Sequence, residues 1–454
     1  MPQPTPDRIC TLLAREEARY RAQNPRSRQL YEDSDHLFGR VPMTWMNKWA
    51  GGFPLGFSGA HGAEVLDLDG HTLIDFALGD TGAMAGHSPA ALGAALAERV
   101  VRLGGVTTMM PTEDAQWVAQ DLSRRFGLEQ WSFSLSATDA NRWLLRLARL
   151  ATGRDKILVF SYSYHGSVDE TFVVTDEAGR PRSRPGNVAP AVDPVTTTRV
   201  VEFNDPEALA AALAHRDVAC VLMEPAMTNI GIVLPDPGFL TTVRELCDAT
   251  ETLLIFDETH TFSAGPGGAT RFYGVQPDAL TIGKSLGGGV PCGAYGLSRD
   301  LADRVTRRVG EGADIVDVGG VGGTLAGNAL SLAAMRAVLC EVLTDDAFVR
   351  MTELATVFAA DVEAAVVEHD LPWSISQLGA RCEYRFARPA PRSGGEAHAA
   401  ADADLEAFLH LYALNRGVLI TPFHNMALMC PATTTAHVAA HTAQFCEALD
   451  ELCA

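Results

Sequence analysis

At 454 residues the chain is too long for one small core, so two or three domains are expected. Its composition, 47% apolar and 20% charged, is that of an ordinary globular protein, and 36 basic against 56 acidic residues leave a net charge of −20, which excludes nucleic acid and an anionic membrane surface as expected partners. Nine scattered cysteines with no Cys-x-x-Cys, no apolar h-region after Met1 and no run of about 18 apolar residues predict reduced thiols, no signal peptide, no transmembrane helix and a cytoplasmic location.

In chain order, residues 8–34 are charged and helix-like and predict an N-terminal arm. The segment Val65–Phe76 alternates apolar and polar residues around Asp69-Gly70, which predicts a β-hairpin. From about residue 90 to 335, short apolar runs (Ile157–Phe160, Ala219–Met223, Leu253–Phe256, Leu280–Ile282) alternate with helical patterns such as 205–214 and 241–249. Asp205 is a suitable N-cap there, with Pro206 at the first helical position. The alternation predicts an α/β fold whose mostly parallel sheet carries helices on both faces. One long helix over 329–343 is expected to lead out of this large domain. The predicted organisation is thus an N-terminal arm over 1–65, a large domain over 66–335 and a smaller α+β domain over 336–454. Within the last, 387–404 is rich in Ala, Pro, Gly and charge and predicts a mobile surface loop.

The chemistry concentrates where apolar runs end. Trp131–Ser136 is strand-like and 139–152 helical, so Ser136-Ala137-Thr138 sits at a helix start, where backbone N–H groups and hydroxyls make an anion site. In isolation this is an ordinary N-cap; the residues downstream change the balance. Tyr164-His165-Gly166 follows the next strand, where an aromatic ring can stack on a flat heterocycle. Glu224 ends another strand, and its carboxylate can orient neighbouring groups. Leu253–Asp257 ends in acid, and Ala279–Ile282 leads into Gly283-Lys284-Ser285 and glycines. A carboxylate and an amine on two buried strands are what a pyridoxal phosphate site needs: the lysine forms a Schiff base with the aldehyde and the aspartate pairs with the pyridinium nitrogen. His260 can reach the hydroxyl of such a ring. Gly322–Asn328 offers a second small-residue turn before a helix, with Thr324 toward the phosphate.

Two competing motifs fail. Gly283-Lys284-Ser285 would belong to a P-loop only with glycine at 278, which is Asp278. His437 and His441 have helical spacing but no glutamate between them as in His-Glu-x-x-His, and are expected on the surface of a C-terminal helix.

The ordered set Asp67–Gly70, Ile74–Phe76, Gly86–Pro89, Ser136–Asn141, Tyr164–Gly166, Glu224-Pro225, Asp257-Glu258, Thr281–Lys284 and Gly323–Asn328 resembles the class III aminotransferases of fold type I. The resemblance covers about residues 50–445 and lies in the branch around glutamate-1-semialdehyde aminomutase and the β-amino-acid and ω-transaminases. It implies that Lys284 is the Schiff-base lysine and proton shuttle, that Asp257 binds the pyridinium nitrogen, and that Tyr164 stacks on the ring. It further implies that Ser136, Ala137 and Thr138 hold the phosphate, and that Thr324 arrives from the second subunit of a homodimer. His165, Glu224 and His260 complete the expected cofactor-binding set. The expected activity is transfer of an amino group from a small-molecule amine or amino acid to a keto acid, with an aminomutase or epimerase as the alternative and a non-catalytic module as a third. The chain departs from the pattern at Ala137, where the family has glycine, and over Thr259–Gly268. Arg40 lies near the position of a carboxylate-binding arginine without being in register, and Trp45 and Trp49 suggest an aromatic wall. No arginine stands in Thr421–Asn425.

Overall fold

The computed structural model describes residues 4–454, which divide into two compact units. The larger comprises residues 90–345 and 391–399. Its frame is a seven-stranded sheet of β1 (Gln130–Ser134), β2 (Lys156–Phe160), β3 (Thr198–Val201), β4 (Val218–Met223), β5 (Leu253–Asp257), β6 (Ala279–Ile282) and β7 (Gly293–Leu297), in spatial order β1-β7-β6-β5-β4-β2-β3. Only β7 runs against its neighbours. Every residue of β4, β5 and β6 is buried, because helices cover both faces. The period of two shows in the core. Ile157, Val159, Cys220, Leu222, Leu253 and Ile255 join one apolar cluster, packed with Leu144, Leu147 and Ala148 of the helix Ala137–Thr152. The alternating Leu158, Phe160, Val221, Met223, Leu254 and Phe256 join the opposite cluster, with residues of the helices Pro206–Leu213 and Phe239–Thr250.

The parallel sheet, the helices on both faces, the four predicted strands and the Asp205 cap with Pro206 are all present. The long helix expected over 329–343 is α-helical over Ala329–Ala337 and widens to a π-turn over Val338–Val342. The expected surface loop at 387–404 is different in kind. Residues 391–399 pack on the larger unit and carry the short helix Gly394–Ala399. A Cβ on Gly394 would stand 2.1 Å from the Ser161 carbonyl oxygen, and His398 stacks on Tyr162 at 4.6 Å. Composition registered the Ala, Pro and Gly of this segment but not the glycine's contact with a strand end more than 200 residues away.

The smaller unit comprises residues 4–89, 346–390 and 400–454. The arm forms helices Pro6–Gln23 and Pro25–Asp33. The predicted hairpin pairs Glu64–Asp67 with Thr72–Asp75 around Gly70, whose φ is +95°. Sequence placed it in the large domain, yet it clusters here, because Val418–Leu419 adds a parallel strand to Thr72–Asp75. A three-stranded antiparallel sheet (Ser374–Leu378, Arg381–Arg385, Met426–Leu428) and the helices Asp345–Glu368, Ala403–Leu414 and Thr435–Cys453 complete an α+β unit. His441 is not on the surface of the last helix: it is buried beside Phe76, Phe358 and Phe445, and burial pushes its imidazole down to about 3. His437 instead closes a capping box with Thr434. Among the described residues no helix is long and apolar enough to cross a membrane.

Candidate active site

The carboxyl ends of the parallel strands lie along one edge of the larger unit's sheet, the edge at which open α/β sheets bind ligands. β5 delivers Asp257 there. Its side chain is buried and ringed by donors: Asn141 Nδ2 at 2.9 Å, His165 Nδ1 at 3.0 Å and the Thr259 N–H at 3.1 Å. Burial alone would raise this carboxyl; the donors, His165 foremost, outweigh it and hold Asp257 down to about 2. Because an ionised carboxylate only accepts, His165 carries its proton on Nδ1. Its buried Nε2 has no hydrogen-bond partner among the described residues. Glu224, at the end of β4, is pushed by burial up to about 7, while Thr228 donates to it through Oγ1 (2.5 Å) and N–H (3.2 Å).

β6 delivers the lysine. After Gly283 the chain turns with Lys284 at φ +41°, a left-handed conformation that costs a non-glycine residue energy and marks functional sites. Lys284 Nζ stands 2.7 Å from His260 Nε2. A Cβ on Gly283 would lie 3.0 Å from the backbone N of Ala137, so the glycine lets the lysine turn press on the start of the helix Ala137–Thr152. That helix is capped by Ser136, whose Oγ accepts from the Asp139 N–H at 3.2 Å. Its first-turn N–H groups have no partner within the helix and concentrate positive potential, as an anion requires. The Tyr164-His165-Gly166 turn is seated on it: the Thr138 hydroxyl accepts from the Ser167 N–H at 3.3 Å, and a Cβ on Gly166 would stand 2.0 Å from Thr138 Oγ1.

Segments 136–138, 164–166, 257–260 and 283–284 thus form one connected set. Asn141 and Thr281 join it although sequence reading gave neither a role. Asn141 is fully buried on the apolar face of its helix; it donates to Asp257 and to the His165 carbonyl at 3.0 Å and accepts from Thr281 Oγ1 at 2.8 Å. An amide at a core position of an otherwise apolar helix face was the available signal. The departing loop after Asp257 is ordered by Glu258, which accepts from the Thr261 hydroxyl and from the N–H groups of Ala269 and Thr270. Gly268, at φ +60°, is required where that carboxylate passes: a Cβ would meet it at 2.5 Å.

Within this set Tyr164 is 37% exposed, with its neighbour Phe172 edge-on at 6.2 Å. Thr324 is exposed on a turn closed by the Ala326 N–H to the Gly323 carbonyl at 2.9 Å, outside the hydrogen-bonded set. Arg40, Trp45 and Trp49 belong to the smaller unit. Arg40 is paired with Asp35 at 3.0 Å, Trp45 packs edge-on against Phe423 at 5.2 Å, and Trp49 packs on the Tyr20–Phe53 core.

The family model for class-III aminotransferases matches residues 45–452, and the chain belongs to that family. It is similar to a glutamate-1-semialdehyde 2,1-aminomutase of Chloroflexus aggregans (34% identity over 418 residues, 88% of this chain and 91% of that one). A second enzyme of that name, from Methanothermobacter thermautotrophicus, is 31% identical over 407 residues, covering 88% of this chain and 92% of the other. Among solved structures, a glutamate-1-semialdehyde-aminomutase of Pseudomonas aeruginosa PAO1, in a lysine-to-alanine variant in complex with PMP, superposes with a TM-score of 0.95 at 48% identity over 99% of both chains. An ω-transaminase of Sphaerobacter thermophilus gives 0.85 at 27% identity over 95% of this chain and 99% of that one. The architecture is fold type I, α/β with a mostly parallel sheet.

Proposed function

We propose that this chain is a pyridoxal-phosphate-dependent aminotransferase that takes an amino group from a small amine or amino acid and passes it to a keto acid. The observation that carries this reading is Lys284: a strained lysine at a strand end, its Nζ 2.7 Å from His260, on the strand next to an ionised, buried Asp257. The chain has only three lysines. Of the others, Lys48 lies over the Phe423 ring and Lys156 pairs with Asp217 at 3.4 Å.

The residues present fit pyridoxal phosphate. A capped helix start suits its phosphate, the ionised Asp257 its ring nitrogen, the exposed face of Tyr164 its ring and the Lys284 amine its aldehyde. When bound, the cofactor supplies a carrier for the amino group and a protonated ring that takes up the electron pair released at the substrate carbon. Asp257 would keep a proton on the ring nitrogen, and His165 and Asn141 fix the carboxylate's direction. The Lys284 amine, beside His260, would remove a proton from substrate carbon and return it. His260 Nε2 accepts a hydrogen bond from the resulting ammonium and holds the side chain over the site. His260→Ala is expected to keep the bound-cofactor absorbance while lowering kcat about ten- to a hundredfold, the worth of one hydrogen bond to a charged group. Stopped-flow absorbance would check it, and an unchanged kcat would remove His260 from this role. Thr324, exposed on its turn, is assigned to the cradle of a second copy in a homodimer acting in the cytoplasm.

The names carried by relatives at 30–34% identity, and by the neighbour at 48%, favour a second reading, an aminomutase that returns the amino group to the same carbon skeleton. Purified protein with a panel of amines and pyruvate, and separately with glutamate-1-semialdehyde alone, decides between them. Alanine formation supports the aminotransferase. Isomerisation of the semialdehyde without consumption of an acceptor overturns it in favour of the mutase.

A further inference from the structure

The helix that starts at the phosphate cradle carries Arg142, Arg146 and Arg149, three and four residues apart and therefore on one face. They line a cavity of about 540 Å³ with Leu147, Leu150 and Glu170 on one side and the loop 313–321 on the other, and no residue of the cradle takes part. The loop is pinned rather than loose. Its Ile315 and Val321 pack on the apolar core, and Gly320, at φ +73°, lies over Arg146, where a Cβ would come within 3.1 Å of Cζ.

The charges around this cavity do not cancel. Glu170 is taken by Arg149 at 3.0 Å, and Arg149 also donates to the Asp155 carbonyl at 2.9 Å. Asp314, the only other acid in the lining, turns onto its own loop and accepts from the N–H groups of Val316 (2.8 Å), Asp317 (3.0 Å) and Val318 (3.4 Å). Arg142 and Arg146 are exposed and have neither a hydrogen bond nor an ion pair among the described residues. Two free guanidinium groups one helical turn apart, each able to grip an anion with two parallel N–H groups, face apolar walls in a space of ligand size.

From this we infer that the cavity is an anion site, separate from the cofactor's, that takes the diphosphate of a small organic molecule: Arg142 and Arg146 hold the two phosphates and Leu147, Leu150 and Ile315 seat the apolar body. The inference does not depend on the reaction proposed above. It does predict that occupancy stiffens the helix on which the cradle is built.

The test is calorimetric titration of the cofactor-loaded protein, whose own phosphate cradle is then filled, with inorganic pyrophosphate and, as control, orthophosphate. One pyrophosphate per chain is expected, bound about tenfold or more tighter than orthophosphate, and Arg142→Gln/Arg146→Gln should weaken it by about tenfold or more, because bidentate phosphate contacts are lost. Bound-cofactor absorbance and circular dichroism should not change. Arg146→Lys, which keeps the charge but loses the fork, should fall between and carries the test should the double variant fold poorly. Equal affinity for both anions, no saturation, or pyrophosphate binding unchanged in the variants would overturn the site. So would a variant that changes the protein's oligomeric mass, since the arginines would then belong to a subunit contact.

Discussion

Lys284→Ala is expected to abolish turnover while leaving a folded protein that still binds cofactor. The substitution removes both the proposed covalent attachment and the group proposed to move the substrate proton. General acid–base transfer alone is worth about 10² to 10⁴ in rate, so with attachment lost the fall should exceed about 10⁴. The elements proposed to bind the cofactor stay: the Ser136 cap, the Thr138 hydroxyl and the Asp257 carboxylate do not use the lysine for their hydrogen bonds. The PMP complex of a lysine-to-alanine variant of the Pseudomonas aeruginosa neighbour is what such a site would give. Stopped-flow absorbance separates the two effects, since the spectral signature of attachment should vanish while cofactor remains bound. Partial rescue by an added primary amine would place the loss in proton transfer; unchanged turnover would sink the assignment.

Asp257→Asn is the second large effect. The substitution preserves size but turns an anion into a neutral amide, so the ring nitrogen of a bound cofactor would lose the charge proposed to keep it protonated. Removing one preorganised electrostatic contact costs about 10² to 10³ in kcat. The amide also brings an NH₂ into a pocket built to supply donors, from Asn141, His165 and Thr259, so a misfit adds to the loss. The stability consequence has a definite sign. The folded-state value of Asp257, about 2, lies below its unfolded value, so the group stabilises the fold at neutral pH. That contribution is present above about pH 4 and is lost as pH falls from about 4 toward 2. Wild type should therefore lose its stability advantage over Asp257→Asn on acidification through that window, which thermal unfolding at several pH values would check. Near-normal turnover in the variant would contradict the role.

Much of this was legible in the chain. Four buried strands announce themselves as short apolar runs, and the residues proposed for the chemistry stand at their ends: Asp257 after Leu253–Phe256, Lys284 after Leu280–Ile282. β7 was not legible, because Gly293 and Gly296 lower its strand propensity; those glycines admit Ser136 and the Trp131 ring, which a Cβ would meet at 2.8 Å. β3 begins at Thr198, directly against a helical turn, with no turn signal between them. The pairing of His260 with Lys284 depends on how β5 and β6 lie side by side, which no local pattern encodes. Asn141 and His441 show opposite errors of the same kind. A buried amide was passed over as helix filler, and a histidine expected at the surface sits among phenylalanines. Burial of single polar residues is a property of packing, and periodicity reports only the average face.

The central claim is that Lys284 is the residue through which the chain holds its cofactor. With only three lysines, the measurement is unambiguous: reduce the purified, cofactor-loaded protein with borohydride, digest it and locate the pyridoxyl mass. The account predicts the mass on the peptide carrying Lys284 and nowhere else. A pyridoxyl group on Lys48 or Lys156, or on no lysine in protein that retains activity, would contradict it.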